Sequence, residues 1–192
     1  MFNFLKNGKG AILNLMFLNP DKEYYLAEIA KLLGKEPSAY QKYIVDLIAE
    51  GVLSDKRVGH MRFFWLNKNY QFYNELKNIV SKTIGLEAEL KNALSDVASI
   101  ETAFIFGSFA TDRFNGQSDI DLFIIGAEDA QNTIIKKITD LENKIGRDIN
   151  YHIYSRAEVL KKIDIKDDFI YNIFHRDIII LKGDINEFTK SK

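Results

Sequence analysis

AFIFGS at residues 103–108 and SDIDLFII at residues 118–125 decide the fold of the C-terminal half. The first stretch predicts a buried strand that enters a turn at Gly107-Ser108. In the second stretch, Asp119 and Asp121 head an otherwise apolar strand, and residues two apart on a strand point to the same face. Two adjacent carboxylates repel each other unless a cation lies between them, and oxygen ligands suit Mg²⁺. The pattern therefore indicates a cation site at a strand head.

The remainder of this half alternates helical and strand patterns. Apolar spacing predicts a helix over Ala130–Ile145, a strand that begins at Arg147-Asp148, and a helix over Arg156–Phe174. The run Ile178–Leu181 predicts a buried closing strand. His152 has no clustered partner in the sequence, so we expect a structural role for it.

The two-part pattern, Gly-Ser, nine intervening residues and Ser-Asp-x-Asp-Leu, resembles the signature of the DNA polymerase beta superfamily. The small size resembles its minimal nucleotidyltransferase branch, over residues 100–182. The resemblance implies a mixed-sheet fold that transfers NMP from an NTP to a hydroxyl, with ATP as the expected donor. It implies two Mg²⁺ ions held by the catalytic residues Asp119, Asp121 and Asp148. It implies phosphate binding by Gly107, Ser108 and Ser118.

The assignment of Asp148 follows from the family's third carboxylate, which lies on a later strand. Asp140 and Glu142 fall in the preceding helical pattern, so they would reach the strand edge less readily. The chain departs from the family pattern at the turn. Family members commonly have glycine four residues after the motif serine, where this chain has Asp112. A carboxylate beside a triphosphate weakens its binding, which keeps open a site that only senses nucleotide.

The first half predicts three helices followed by a β-hairpin. Helical apolar patterns end at Asn19-Pro20, Gly34 and Gly51. Two β-rich runs, Val52–Val58 and Met61–Leu66, then flank a turn. The close spacing of the second and third helices is typical of a helix-turn-helix.

This half, over residues 9–83, resembles ArsR-type winged-helix repressors. The resemblance is carried by Leu26–Gly34, Pro37-Ser38 and Leu47–Leu53. It implies that the helix after the turn enters the DNA major groove while the hairpin contacts the backbone. The residues it assigns to DNA binding are Ser38, Gln41, Lys42, Lys56, Arg57, His60 and Arg62. Winged helices also dock proteins, so that alternative stays open.

We expect an α/β (α+β) chain with three parts. These are a winged helix-turn-helix domain at residues 1–84, a helical connector at 85–99 and a nucleotidyltransferase domain at 100–192. A connector helix is also the expected packing surface of a homodimer.

Composition excludes several classes of protein. Of the 192 residues, 46% are hydrophobic and 28% charged, which is enough apolar mass for a core and rules out a disordered chain. The absence of cysteine excludes a disulfide framework, a thiolate zinc site and a cysteine nucleophile. No apolar run approaches the ~20 residues that span a bilayer, and no signal-peptide pattern is present, so a cytoplasmic protein is expected.

Three functions remain open at this stage. The first is an enzyme that modifies an acceptor, such as a partner toxin protein, and is coupled to a DNA-binding domain. The second is a transcriptional regulator whose nucleotidyltransferase-like domain only senses nucleotide, which requires different nucleotide affinities in its two states. In the third, the winged helix docks a protein substrate, and weak salt dependence would distinguish it from DNA binding.

Overall fold

The computed structural model describes Leu5 and residues 7–111, 118–126 and 130–189. The chain divides into two compact units, Met1–Ala88 (unit 1) and Glu89–Lys192 (unit 2). No helix in the described ranges is both long and apolar enough to cross a membrane.

Unit 1 combines helices with a small antiparallel sheet. Its elements are α1 (Gly8–Leu18), β1 (Tyr24–Tyr25), α2 (Leu26–Leu32), α3 (Ser38–Ala49), β2 (Leu53–Val58), β3 (Met61–Leu66) and α4 (Tyr73–Thr83). The sheet order is β1-β3-β2, with both pairs antiparallel. The predicted hairpin is therefore present, and it gains a two-residue strand that the sequence pattern did not predict.

Local residues explain where α1 begins and where α1 and α3 end. The Asn7 side chain accepts from the Lys9 N–H at 2.9 Å and caps α1, which ends before Asn19-Pro20. Gly51, at φ +76°, follows α3 and turns the chain into β2. One core joins the helices to the sheet through fully buried side chains, among them Ile12, Met16, Tyr24, Ile29, Ile44 and Leu47. The interpretation of unit 1 as a winged helix stays a prediction.

Unit 2 is a mixed α/β structure. The helix α5 (Leu86–Ser95) begins just before the division between the units. The elements that follow are β4 (Ile100–Phe106), β5 (Ile120–Gly126), α6 (Gln131–Ile145), β6 (Ile149–Tyr154), α7 (Arg156–Asp164), α8 (Asp168–Phe174), β7 (Ile179–Lys182) and α9 (Asn186–Thr189). The sheet order is β6-β5-β4-β7. Among these described strands, the β5–β6 pair is parallel and the β4–β5 and β4–β7 pairs are antiparallel.

One face of this sheet packs against the C-terminal helices. Phe104, Phe123 and Ile125 on the strands share a core with Val159, Ile170, Ile173, Phe174 and Phe188 of α7, α8 and α9. Phe104 and Phe123 stack with ring centroids 5.1 Å apart. Because side chains alternate along a strand, this row continues from Ile125 and Phe123 to Asp121 and Asp119. The apolar face therefore ends in two carboxylates.

The predicted connector at residues 85–99 contains one helix, α5, which begins just after a turn at Gly85. A Cβ at Gly85 would lie 2.8 Å from the Ser81 Cα, so this turn needs glycine. The single helix predicted over Arg156–Phe174 is α7 and α8, separated where Lys166 adopts φ 56°. The Asp167 side chain then caps α8 by accepting from the Ile170 N–H at 3.1 Å.

Candidate functional site

Strand register brings three polar or aromatic side chains level at one end of the unit 2 sheet. Asp121 on β5 pairs with Phe106 on β4 and with Asn150 on β6. Paired residues on neighbouring strands share a face, so these side chains lie in one row. Asp121 occupies the middle of the row and is half-buried. It is therefore held by strands on both sides.

The backbone of Gly107 lies against this row. It directly follows β4 with φ +73°, a conformation that favours glycine. A Cβ at this position would overlap the Asp121 Oδ2 and would lie 3.2 Å from its Cγ. The Asp121 carboxylate thus occupies the space that any other residue at 107 would need for its side chain.

The turn after Gly107 is tied to Ser108. The backbone N–H and the hydroxyl of Thr111 both donate to the Ser108 carbonyl, at 3.2 and 3.1 Å. Residues 107–110 form a turn, which begins at the predicted Gly107-Ser108. Asp112, the departure from the family's glycine, lies outside the described residues. Gly107 is thus beside the Asp121 carboxylate and Ser108 follows it in the chain; the phosphate-binding role of both residues stays a prediction.

Asn150 joins the two carboxylates. Its Nδ2 donates to the Asp119 Oδ2 at 3.3 Å. Burial raises the pKa of the Asp121 carboxyl above its usual range, and the negative charge of Asp119 raises it further. A hydrogen bond from Asn150 and the proximity of His152 oppose that rise in pKa. The Asp121 carboxyl therefore holds its proton to higher pH than an exposed carboxyl does, as expected of a partly buried group beside a like charge.

Asp148 lies one residue before β6. Its backbone carbonyl accepts from the Ile120 N–H at 3.4 Å, which places it level with Asp119, and the residue is exposed. Within the described ranges, no three His, Asp or Glu side chains form a group that could hold a metal ion. The structure brings Asp119 and Asp121 together with Asn150 but does not add Asp148 to them. A ligand role for Asp148 stays a prediction.

Contacts from α6 and from the loop that follows it hold the strand heads. The Arg147 guanidinium donates to the backbone carbonyl of Ser118. The Ile149 N–H donates to the Glu142 carboxylate at 2.7 Å, and Gly146 ends α6 in a left-handed conformation. The predicted phosphate ligand Ser118 is therefore held at the start of β5 through its main chain.

An aromatic group lies next to the carboxylates. His152 is two residues beyond Asn150 on the same face, and its ring centroid lies 4.8 Å from that of Phe169 and 6.0 Å from that of Phe106. The sequence pattern missed Asn150, His152 and Phe169 as site residues. Period-two spacing from Asp148 could have indicated the first two, since alternate strand residues share a face.

The predicted DNA-binding residues lie on the surface of unit 1. Ser38, Gln41 and Lys42 are exposed on α3, and Lys56, Arg57 and His60 are exposed on the hairpin. Two hairpin cations already have partners: Lys56 Nζ lies 2.6 Å from the Glu23 carboxylate. The half-buried Arg62 Nε lies 2.6 Å from Asp55 Oδ2, and its guanidinium holds the pKa of Asp55 below the usual range.

A cleft of about 320 Å³ separates α3 from the hairpin. Its lining includes Gln41, His60 and Arg62 together with the exposed apolar side chains Val45 and Met61. The surface assigned to DNA by resemblance is therefore mixed, with cations at its rim and apolar groups in its cleft.

Comparison with known proteins identifies the family of unit 2. The family described as polymerase beta, nucleotidyltransferase matches residues 88–186, more than half of the chain. No curated protein matches the sequence.

Two solved structures are similar at low identity. The first is a crystal structure of a toxin-antitoxin with AMP-PNP, at 16% identity, covering 53% of this chain and 77% of that chain, with a TM-score of 0.37. The second is a crystal structure of a putative nucleotidyltransferase from Sulfolobus solfataricus, at 17% identity, covering 49% of this chain and 77% of that chain, with a TM-score of 0.27. The chain belongs to the polymerase beta nucleotidyltransferase family.

Proposed function

We propose that unit 2 transfers a nucleoside monophosphate from an NTP, with ATP as the expected donor, to a hydroxyl acceptor. Membership of the nucleotidyltransferase family supports this class of reaction. The observation that carries the proposal is the approach of the Gly107 backbone to the Asp121 carboxylate. It puts a turn that can bind phosphate next to a carboxylate pair that can bind a cation.

The residues at the strand heads fit Mg²⁺. Asp119 and Asp121 are hard oxygen ligands, and the raised pKa of Asp121 reflects a like charge and burial that a divalent cation would offset. We propose that two Mg²⁺ ions share these carboxylates. When bound, Mg²⁺ would neutralise charge on the triphosphate and on the leaving pyrophosphate.

The chain itself would bind and orient the donor. Main-chain N–H groups at Gly107 and Ser108, with the Ser108 and Ser118 hydroxyls, would hold the phosphates. The acceptor oxygen then forms a bond to the α-phosphorus, and the α–β bridging bond breaks with its electron pair leaving on pyrophosphate. The hydroxyl proton passes to solvent or to a carboxylate.

The decisive experiment compares two positions of the label. Protein, Mg²⁺ and a lysate of the source cells are incubated with ATP labelled either at the α- or at the γ-phosphate. Nucleotidyl transfer marks an acceptor with the α-label only, whereas phosphoryl transfer would mark it with the γ-label. Asp119→Asn/Asp121→Asn should lower the α-signal on the order of 10³-fold or more. Asp140→Asn, which removes an exposed carboxylate from α6, is the matched control.

Three results would count against transfer. The proposal fails if no acceptor takes the α-label with any of the four NTPs. It also fails if the double variant labels the acceptor as well as the wild type does. It fails, too, if the added protein increases transfer of the γ-label above that of the lysate alone. Unfolding curves for each variant separate loss of chemistry from loss of fold.

DNA binding by unit 1 is the second part of the proposal. Its support is the exposed row Ser38, Gln41 and Lys42 on α3, beside the cations of the hairpin. Gln41 can read a base edge and Lys42 can contact a phosphate. Binding to a duplex library should weaken steeply between 50 and 200 mM salt, whereas docking of a protein through the same surface would change little.

A nucleotide-sensing regulator is the alternative function, and one observation favours it. Among the described residues the strand heads bring together two carboxylates, not three. Such a site could bind Mg²⁺ and nucleotide with little transfer. Measurable Mg²⁺-dependent ATP binding, no α-label on any acceptor and a change in DNA affinity on adding ATP would establish this alternative.

Two partner proposals remain from the resemblance. The acceptor could be a protein such as a toxin partner, which the α-label experiment identifies directly. A homodimer could pack through the connector and α4, the helix before it, whose N-cap residue Phe72 is 52% exposed. Light scattering of the wild type and of Phe72→Ser measures that association. A cytoplasmic location stays a prediction.

A further inference from the structure

The residue that lies beside Asp121 on the neighbouring parallel strand is an amide, not a carboxylate. The β5–β6 ladder pairs Ile120 with Ile149 and Asp121 with Asn150. Asp148 precedes this ladder by one residue and, through its carbonyl, is level with Asp119. The two candidates for a third ligand, Asp148 and Asn150, therefore occupy different rows. Asn150 is in the row of the half-buried carboxylate.

The side-chain hydrogen bonds also favour Asn150 over Asp148 as the third ligand. Its Nδ2 donates to the Asp119 Oδ2 at 3.3 Å, and its side chain is also within hydrogen-bonding reach of Asp121. One amide group thus serves both carboxylates. An NH₂ group has two donors, so it can partly offset the repulsion between two negative oxygens.

We propose that Asn150 is the third member of the cation site, a neutral positioning residue in the place that the resemblance assigned to Asp148. This inference rests on the proposed function, because it concerns the cation that nucleotidyl transfer requires. Without a cation, the Asn150 NH₂ group holds the carboxylate pair. A half-turn of the amide about χ2 presents its Oδ1 to a bound cation instead, since amide nitrogen and oxygen occupy equivalent positions.

The neutral side chain has two consequences. The donor set of Asp119, Asp121 and Asn150 carries two negative charges where an aspartate in the row would give three, which lowers its affinity for a divalent cation. The metal-free strand heads are in turn less strained, because no third carboxylate adds to the repulsion. Asn150→Asp should therefore increase the difference in stability between the metal-free and the metal-bound chain.

Mn²⁺ binding to the full chain, measured by electron paramagnetic resonance without nucleotide, tests this inference. Asn150→Asp should bind Mn²⁺ roughly tenfold or more tightly than the wild type. Asn150→Ala should bind it about three- to tenfold more weakly, since a ligand and the positioning hydrogen bonds are lost. Asp148→Asn should change the Mn²⁺ affinity less than Asn150→Ala does. Asp140→Asn on α6 is the control for removal of a carboxylate.

Thermal unfolding gives an independent readout. In chelator, Asn150→Asp should have a lower melting temperature than the wild type. Addition of Mn²⁺ should raise its melting temperature by more than it raises that of the wild type. A purely structural role for Asn150 would lower the melting temperature equally with and without the metal. If Asn150→Asp does not fold, the comparison of Asn150→Ala with Asp148→Asn decides.

The inference is overturned if Asp148→Asn weakens Mn²⁺ binding more than Asn150→Ala does, or if Asn150→Asp leaves the affinity unchanged. Failure of the proposed function has a different signature. Label transfer would then be absent from every variant, while the order of Mn²⁺ affinities, Asn150→Asp above wild type above Asn150→Ala, would remain.

Discussion

Unit 1 and unit 2 treat their charged side chains in opposite ways. On the hairpin of unit 1, Arg62 lies against Asp55 and Lys56 against Glu23, so these four charges are paired with opposite signs. At the strand heads of unit 2, Asp119 and Asp121 lie together, and the described contacts between them come from a neutral amide. Paired charges at a surface contribute little and are common. Like charges brought together by the strand register indicate where a ligand binds.

The largest effect should come from removing the space that glycine provides at the unit 2 site. Gly107→Ala places a Cβ onto the Asp121 carboxylate and also strains a residue at φ +73°. We expect nucleotidyl transfer to fall about 100-fold and the free energy of unfolding to fall by about 2–3 kcal/mol. Label transfer and urea unfolding measure the two quantities.

Gly146→Ala is the matched control for this change. Gly146 has a similar φ of +67°, but a Cβ there would have nothing within 4 Å. It should lose about 1 kcal/mol and keep its transfer rate. Equal losses in the two variants would show that the approach to Asp121 has no special role.

A smaller effect is expected at the hairpin of unit 1. Lys56 must leave Glu23 before it can contact a phosphate. Among the described residues, Arg57 has no ion pair like those of Lys56 and Arg62. Arg57→Ala should therefore weaken DNA binding about three- to tenfold, and Lys56→Ala by less. Fluorescence anisotropy at two salt concentrations checks both affinities. An equal loss for both variants would contradict the argument from ion pairing.

The pH dependence of stability should have opposite signs in the two units. Asp121 has a pKa raised above its ordinary 3.8, so the folded chain holds that proton to higher pH than the unfolded chain does. Its contribution is most favourable below pH 3.8 and is lost as the pH rises through the folded pKa. Asp121→Asn should remove this loss of stability. At pH 7 and without metal, the variant should therefore have a higher free energy of unfolding than the wild type. Urea titrations of both proteins in chelator at several pH values measure the difference.

The smallest effect concerns Asp55. Arg62 lowers the pKa of Asp55 below 3.8, so its contribution is fully present above pH 3.8 and is lost as the pH falls through the folded pKa. Asp55→Asn should cost about 1 kcal/mol or less at pH 7, and the difference from the wild type should shrink in acid. Urea titrations run across acid pH give this slope. A slope of the same sign as that of Asp121 would contradict the contrast between the units.

Local patterns predicted most of the elements and the family. The strands on either side of Gly107, the hairpin and the helices follow from apolar periodicity, and the family match confirms the resemblance drawn from Gly107-Ser108 and Ser118–Leu122. Asp119 and Asp121 were predicted as a pair because both lie on one strand, where spacing alone determines the face.

Features that depend on a neighbouring strand were not predictable in this way. Tyr24-Tyr25 forms a strand only because β3 lies beside it, and two residues have no readable period. Spacing from Asp148 indicates the face on which Asn150 lies, but its pairing with Asp121 depends on the register of β6 against β5, which no local spacing determines. Lys166 interrupts a helix with a left-handed conformation that sequence patterns reserve for glycine or asparagine.

The missing side chain at Gly107 also provides a spectroscopic probe. Because its backbone lies against the Asp121 carboxylate, a change in that carboxylate's charge or position must alter the magnetic environment of the Gly107 amide. Glycine amides resonate in a sparsely populated region of a ¹⁵N correlation spectrum, so this one signal can be followed in the unmodified chain. Titrations with acid, Mg²⁺ or ATP would then each be recorded at a single nucleus inside the site, with no mutation or attached label.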